Sequence, residues 1–283
     1  MGCIVDTILF KKGDTLDKLA RKYGLKDGKE LLNAAENARL KKLRGTPDKV
    51  QPGDKLVIPP PNEKGVKTNF SKDTDRMTFD ICGAKRLVSV EQRWQYTYDN
   101  DDGTSPWTTQ EQRDFRHHID LAIMTYWSGH FTLSVAGGSD FARLYRNDVF
   151  KVGFDIRFVT SGGHWKVNVT KVAPRTKMGS KINWGNRTIQ LDSNDTKMQE
   201  RVREGKHYKQ VPAAHEFGHT IGNTKHSPNS THGDEYKSGS PFKAERKSMM
   251  NDGMELRKRH ADHLIAELNK MIPDTVFAVK TIR

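Results

Sequence analysis

The sequence has few cysteines and no long apolar run, and each absence narrows the class of protein. No apolar stretch in the 283 residues approaches the length that crosses a bilayer. The two cysteines, Cys3 and Cys82, allow one disulfide but no disulfide framework, so they leave the redox compartment open. The start, MGCIVDTILFKKGDT, lacks a basic stretch followed by an apolar core, so we expect no signal peptide.

Acidic residues are outnumbered by basic ones. Forty-eight Lys and Arg stand against 35 Asp and Glu, which leaves a net charge of +13. Such a charge favours anionic partners such as nucleic acid, anionic lipid or bacterial envelope polymers, although it also serves solubility alone. The basic residues are scattered and no nucleic-acid-binding motif is present, so we do not expect nucleic acid to be the partner.

The first sixty residues have a pattern of their own. GDTLDKLARKYGL (13–25) predicts a short helix capped by Asp14 or Thr15. A second helical stretch, GKELLNAAENARLKKL, follows it. VQPGDKLVIPP (50–60) then predicts a Pro-Gly turn, a short strand and a proline stop.

This order of elements resembles the LysM domain, a small β-α-α-β module, over about residues 5 to 60. The resemblance implies binding to N-acetylglucosamine glycans, chiefly peptidoglycan and chitin. A small helical cap without a ligand is the alternative. The candidate glycan-binding residues are the positions that match the module: Gly13, Asp14, Thr15, Asn37, Pro52 and Gly53. We therefore expect a glycan-binding domain at 1–60, a linker at 61–78 that has no periodic apolar pattern, and a second domain at 79–283.

From about residue 79 the pattern becomes α+β. Thr108 and Glu111 form a capping box before an amphipathic helix, and KVGFDIRFV alternates as a strand does. A Ser-Gly-Gly turn at 161–163 leads into a second alternating run, HWKVNVTKV. NRTIQLDS predicts a third strand, which as an edge strand would pair with extended substrate. A short helical piece is expected at 198–203.

HEFGHTIG (215–222) predicts a metal site. Positions i and i+4 of a helix lie on one face, so His215 and His219 can bind one ion together while Glu216 reaches the same space. Two imidazoles, a third ligand and an open position describe a catalytic zinc. Pro212 suits the first turn of this helix and Gly222 its end. An ordinary helix with two surface histidines is the alternative.

The same run resembles the metzincin group of zinc peptidases, whose motif continues H-E-x-x-H-x-x-G-x-x and ends in His or Asp. KSMMNDGMELRKRH (247–260) resembles the methionine turn of that group, with Met250 as the methionine and Met249 as the alternative. The longer set of HEFGHTIGN, DEY, SMMNDG and RKRH is similar to metallopeptidase domains attached to bacterial type VI secretion effectors and spike proteins. The resemblance covers about residues 80 to 272 and implies a zincin fold with Zn²⁺ as cofactor.

The third zinc ligand stays open. Lys225 occupies the metzincin position, and a charged ammonium cannot bind zinc. A loop could bring Glu235 or Asp234 back to the metal, and His226 lies one residue beyond the expected place. We take Glu235, with His226 as the alternative. More remote candidates are His232 and Glu255. Tyr236 is a candidate hydrogen-bond donor to the oxyanion of a tetrahedral intermediate.

Together these patterns predict a zinc metallopeptidase directed to the bacterial cell wall, with peptidoglycan peptide or an envelope protein as substrate. The effector resemblance implies a toxin that is secreted without a signal peptide and acts in the target-cell periplasm. Its further partners would be an immunity protein and a secretion spike protein. Two alternatives remain: a catalytically inactive peptidoglycan-binding adaptor, and a housekeeping or phage cell-wall hydrolase. A secreted chitin-binding protease is a variant of the second.

Overall fold

The computed structural model describes residues 6–23, 25–59, 65–176, 178–222 and 235–283. The chain divides into two compact units, one formed by Met1–Ser71 with Asp80–Leu87 and the other by Lys72–Phe79 with Val88–Arg283. Both contain helices and strands, as the sequence predicts. Within the described ranges, no helix has the length and apolar character needed to cross a membrane.

The first unit is built on a two-stranded sheet covered by short helices. Strands β1 (Asp6–Leu9) and β2 (Lys55–Ile58) pair antiparallel, with Ile8 opposite Leu56. Between them lie α1 (Leu16–Lys22), α2 (Gly28–Asn33) and α3 (Ala38–Arg44), with 3₁₀ turns at Ala35–Asn37 and Pro47–Lys49. One apolar core joins these elements: Phe10, Leu16, Leu19, Ala20, Leu25, Leu31, Leu32, Leu40, Val50, Leu56 and Ile58.

The predicted second helix of this unit is broken in two. Asn37, inside the predicted helix, is buried, and its Nδ2 donates to Leu31 O at 2.8 Å and to Val57 O at 2.7 Å. Its Oδ1 accepts from Val57 N at 2.9 Å. These three bonds join the end of α2 to β2, so a tertiary contact overrides the local helical preference. The unit is therefore β-α-α-α-β instead of β-α-α-β.

The second unit contains a mixed sheet in the order β13-β6-β7-β5-β8-β10-β9. Its strands are β5 (Leu87–Asn100), β6 (Phe131–Gly137), β7 (Phe150–Phe158), β8 (Trp165–Lys171), β9 (Lys181–Asn183), β10 (Thr188–Asp192) and β13 (Thr275–Ile282). Two further strands, β3 (Asn69–Asp73) and β4 (Thr78–Cys82), pair with each other. The helices are α4 (Thr109–Tyr126), α5 (Asp140–Tyr145), α6 (Pro212–Thr220) and α7 (Asp262–Leu268).

Strand β3 lies in the stretch that we predicted to be a linker. The sequence of β3, NFSKD, has no apolar alternation that would indicate a strand, because no side chain of this strand is fully buried and none has to be apolar. Cys82, at the end of β4, is disulfide-bonded, and the other cysteine of the chain, Cys3, lies outside the described residues.

Helix α4 packs against α6 in the second unit. The predicted capping box is confirmed: Thr108 N donates to Glu111 Oε2 at 2.7 Å, and Glu111 N donates to Thr108 Oγ1 at 3.2 Å. Phe115, Ile119 and Ile123 are buried along one face, and the helix packs against α6 and β7. The local start signal and the apolar period agree here, which is why the helix was predictable.

Three expectations for the strands are corrected. The alternating runs β7 and β8 do not pair, because β5 lies between them and β8 pairs parallel with both β5 and β10. The predicted edge strand β10 is covered by β9 over Thr188–Gln190. The predicted helical piece at 198–203 is the strand β11 (Gln199–Arg203), which pairs antiparallel with β12 (Lys206–Gln210).

The β11–β12 hairpin has a turn signal that the sequence analysis overlooked. Glu204 and Gly205 stand between the two strands, and both have positive φ, at 52° and 72°. Two residues of positive φ make the tight turn whose twist matches a β-hairpin. Strand β12 then leads directly into α6, so this hairpin sets where α6 begins.

Candidate metal centre

Helix α6 holds the predicted metal-binding residues in the interior of the second unit. Pro212 lies in its first turn, where a missing backbone N–H is tolerated, and Ala213 N donates to Asp195 O at 3.0 Å. His215, Glu216 and His219 are all buried. After the helix, Gly222 has φ 66°, and a Cβ at this position would stand 2.7 Å from Trp184 Cη2. A glycine is therefore required both by the backbone conformation and by the space.

The two histidines converge through the same ring nitrogen. His215 Nε2 and His219 Nε2 are 3.2 Å apart, and the rings are nearly perpendicular at 87°. Two nitrogens bound at about 2.05 Å to one tetrahedral zinc ion stand roughly 3.3 Å apart. The observed spacing thus fits a shared zinc ion, and both donors are imidazole nitrogens, which zinc prefers.

The other nitrogen of His215 indicates which tautomer the ring adopts. His215 Nδ1 lies 2.7 Å from Met249 O, and a carbonyl oxygen can only accept. Nδ1 therefore carries the hydrogen, and the lone pair is on Nε2. A histidine ligand whose other ring nitrogen donates to a backbone carbonyl is the usual arrangement at protein metal sites.

The predicted methionine turn lies against this helix, and its two methionines make different contacts with it. Met250 is fully buried, and a Cβ at Gly218 would overlap its sulfur. The Met250 side chain thus packs against α6 between the two histidines. Met249 contributes its carbonyl to His215 instead. The role of Met250 as the methionine of the turn stays a prediction.

Glu235 is placed by an ion pair and not beside the two histidines. Its carboxylate accepts from Arg259 Nε at 2.7 Å and from Arg259 Nη2 at 3.0 Å. Arg257 N donates to His260 Nδ1, so His260 Nε2 carries the hydrogen that it directs to Glu235 Oε1 at 3.2 Å. Burial raises the pKa of Glu235, but the hydrogen bonds from His260 and Arg259 outweigh it and hold the pKa at about 2. Glu235 is therefore an ionised, buried anchor for the 257–260 segment.

Within the described residues, no three His, Cys, Asp or Glu side chains form a cluster that could hold a metal ion. The structure thus joins His215 and His219 but does not bring Glu235 to them. Glu255, the remote candidate, pairs with Arg257 at 2.8 Å. The candidates in the loop and the lysine at the metzincin position lie outside the described residues: Lys225, His226, His232 and Asp234. The identity of the third ligand stays a prediction.

Tyr236 lies next to the candidate centre. Its ring centroid is 6.1 Å from that of His215, and the side chain is 40% exposed. The phenol is thus near His215 and open to solvent, and its role as a hydrogen-bond donor to an oxyanion stays a prediction.

Sequence reasoning missed one buried residue beside the centre. Gln210 is fully buried at the end of β12, and its Nε2 lies 3.0 Å from each of three carbonyls, Met249 O, Asn251 O and Gly253 O. Nothing in its local sequence marks it, since a glutamine before a helix has no characteristic pattern. Only the fold shows that it meets the methionine turn.

In the first unit, most of the predicted glycan-binding residues lie on two adjoining loops. Gly53 N donates to Phe10 O at 2.8 Å and Phe10 N donates to Asp54 O at 2.9 Å, so the 10–15 loop and the 51–54 turn lie side by side. Gly13 and Gly53 both have positive φ, at 89° and 92°. Exposed members of this end of the unit include Gly13, Thr15, Pro52 and Gly53.

The side chains of three predicted glycan-binding residues make hydrogen bonds within the protein. Asp14 Oδ2 accepts from Lys11 N at 2.8 Å. Thr15 Oγ1 accepts from Lys18 N at 3.1 Å and so caps α1, as expected for one of the two candidate caps. Asn37 is buried and uses its amide on backbone groups. Direct contact between Asn37 and a glycan does not fit this placement, and we correct its role to holding α2 and β2 together.

A comparison with known families supports the LysM resemblance of the first unit. The family model described as LysM domain matches residues 9–27, which run from the end of β1 through α1 to the N-cap of α2. No curated protein and no solved structure matches the chain. The match indicates a LysM sequence in the first unit and, with it, binding to N-acetylglucosamine glycans such as peptidoglycan.

Proposed function

We propose that this protein is a zinc-dependent peptidase that its LysM unit holds on the bacterial cell wall. The observation that carries the proposal is the 3.2 Å convergence of His215 Nε2 and His219 Nε2, on a helix whose intervening residue Glu216 is buried beside them. Two imidazoles at the spacing of zinc ligands are two of the three protein ligands of a hydrolytic zinc site, and an adjacent carboxylate is the usual proton acceptor there.

The residues of the chain divide the chemistry between them. His215 and His219 would hold the ion, which when bound polarises a carbonyl and lowers the pKa of water. Glu216 would accept the proton from the attacking water and deliver it to the leaving amine. Tyr236 would donate a hydrogen bond to the oxyanion. Met250 packs against Gly218 and would support the helix that carries both imidazoles.

The first test is the zinc content of the purified protein. We expect about one zinc per chain in the parent, because His215 and His219 with a third ligand make one site. A loss in His226→Ala alone would identify His226 as the third ligand. A loss in Glu235→Ala would identify Glu235 only if the zinc-free variant unfolds at the parent Tm, because Glu235 also pairs with Arg259. No zinc in the parent, even after metal is supplied, would refute the proposal.

Activity is tested with the conservative variant Glu216→Gln, which retains the shape of the side chain but cannot accept a proton. We expect it to bind zinc as the parent does and to lose about 10²-fold to 10⁴-fold in peptide hydrolysis. Release of peptide fragments from purified peptidoglycan, and cleavage of envelope proteins, would show which substrate class is used. Equal hydrolysis by parent and variant would remove Glu216 from the mechanism.

The biological setting is part of the proposal. A LysM unit next to a peptidase raises the local concentration of the enzyme at the wall. We propose that the protein is a type VI secretion effector, with a spike protein that carries it, an immunity protein that protects the producer, and the target-cell periplasm as its place of action. Export that continues after deletion of the secretion apparatus would exclude this route. Equal toxicity to the producer with and without the neighbouring gene products would favour a housekeeping or phage wall hydrolase.

One observation favours a second function. The described residues bring only two metal-ligand side chains together on α6, and Lys225 stands at the metzincin third-ligand position. Without a third ligand the chain would be a peptidoglycan-binding adaptor with an inactive peptidase fold. Binding to peptidoglycan without any zinc uptake would support that function.

A further inference from the structure

Gln210 occupies an unusual position between the methionine turn and the active-site helix. Its Nε2 meets three carbonyl oxygens of one turn, those of Met249, Asn251 and Gly253, each at 3.0 Å. The side chain is fully buried, and its Oε1 has no hydrogen-bond partner among the residues that the structure describes. The reverse orientation of the amide would set an oxygen against three oxygens, so the geometry determines which atom is the nitrogen.

The turn that Gln210 holds is closed tightly by its own backbone. Asn251 N donates to Ser248 O at 3.0 Å and Gly253 N donates to Ser248 O at 3.1 Å. A Cβ at Gly253 would overlap the backbone of Lys247. A turn this compact presents its carbonyls inward as a group, and a single amide in their centre fixes all of them.

The same turn determines which ring nitrogen of His215 carries the hydrogen. Met249 O is both an acceptor from Gln210 Nε2 and the acceptor 2.7 Å from His215 Nδ1. Gln210 Nε2 itself lies 3.2 Å from His215 Nδ1 and could in principle donate to it. The amide has only two hydrogens, and three carbonyls at shorter distance compete for them. Nδ1 is thus left to donate to Met249 O.

We propose that Gln210 is a positioning residue for the metal centre: by holding the Met249 carbonyl against Nδ1, it keeps the His215 lone pair on Nε2, toward the ion. The inference rests on the proposed zinc function. Gln210 is also held close to His215 by the backbone. It precedes the first residue of α6 by two positions, and its neighbour Val211 accepts a hydrogen bond from His215 N at 3.2 Å. Partners that fix the tautomer of a histidine ligand commonly change metal affinity about 10-fold to 100-fold when removed.

The test compares Gln210→Met with Gln199→Met in the full chain. Methionine has a similar length and no donors, so it removes the hydrogen bonds with little change in volume. Gln199 is the matched control because it stands directly opposite Gln210 in the hairpin, and its side chain donates to Asn194 O at 3.3 Å, away from the methionine turn. By chelator competition, we expect zinc affinity to fall about 10-fold to 100-fold in Gln210→Met and to stay at the parent value in Gln199→Met.

A second measurement uses the zinc-free parent and does not depend on whether a variant folds. Nitrogen NMR of the His215 ring should show the hydrogen on Nδ1, and the Gln210 side-chain amide should be protected from hydrogen exchange. A hydrogen on Nε2 in the parent would overturn the inference. So would a folded Gln210→Met protein with parental zinc affinity. If the parent takes up no zinc, the proposed function fails, while the tautomer and the amide protection still decide the role of Gln210.

Discussion

Replacing Glu235 with glutamine removes a charge that the structure buries almost completely, at 1% exposure. The carboxylate accepts two hydrogen bonds from Arg259, at 2.7 and 3.0 Å. Breaking a buried ion pair on one side costs about 3–5 kcal/mol. The pKa of Glu235 gives a second estimate of the same loss of stability. A pKa lowered from the ordinary 4.5 to about 2 corresponds to a stabilisation of roughly 3 kcal/mol at neutral pH. Because Arg259 also pairs with Glu245, we expect the lower end, about 3 kcal/mol.

The assay is thermal unfolding of the zinc-free protein. For a unit of about 200 residues, 1 kcal/mol shifts Tm by about 2–4 °C, so Glu235→Gln should lower Tm by about 6–12 °C. The pKa of Glu235 is depressed, so the stabilisation is full above pH 4.5 and is lost as the pH falls toward 2. The difference between parent and variant should therefore be largest at neutral pH and shrink below about pH 4.5.

Glu245→Gln is the matched control, because Glu245 shares Arg259 but its side chain is 39% exposed. Glu245 also pairs with Arg257, at 2.9 Å. Two exposed pairs at roughly 0.5 kcal/mol each should lower Tm by about 2–4 °C, which is less than the change expected for Glu235→Gln. An unchanged Tm for zinc-free Glu235→Gln would refute the anchor role. If that variant also failed to bind zinc, Glu235 would be a ligand, as predicted from the sequence.

Three further predictions concern single side chains. Gly218→Ala would set a Cβ against the Met250 sulfur, and overpacking of about 1–3 kcal/mol should outweigh the helix-propensity gain of about 1 kcal/mol, which a lowered Tm would show. Asn37→Ala should destabilise the first unit by about 2 kcal/mol or more in denaturant unfolding, whereas the exposed Asn33→Ala should not; equal effects would contradict the role of the buried amide. Burial raises the pKa of Asp195 to about 6, so its ionisation destabilises the fold as the pH rises from about 4 to 6. Asp195→Asn should therefore raise stability at pH 8 by about 1–3 kcal/mol and not at pH 4, and an equal gain at both would refute the argument.

Helices whose start and end are determined by residues close in the chain could be predicted from the sequence. The capping box of Thr108 and Glu111 lies within four residues, and the structure contains both of its hydrogen bonds. The helix at Pro212–Thr220 and its glycine end are likewise set by neighbours in the chain. Where the capping residues, the apolar period and the stop residue all indicate the same helix, tertiary contacts rarely alter its type or its bounds.

Elements whose stability comes from distant partners were not predictable. The residues at 198–203 suit a short helix locally, but they become a strand because all five positions of β11 pair with β12. The second helix of the first unit breaks because Asn37 bonds to Val57, twenty residues further along the chain. The strand β3 has no apolar pattern and exists because β4 pairs with it.

The candidate site divides in the same way. Sequence alone determined that His215 and His219 share one face of a helix, because a spacing of four residues fits the helical turn, and that Glu216 stands between them. Only the tertiary structure decided that Met249 O receives the hydrogen of His215, that Met250 supports Gly218, and that Glu235 is bound by Arg259. The physical reason is range: helix geometry acts over a few residues, whereas a tautomer or an ion pair is set by groups tens of residues away that meet only after folding.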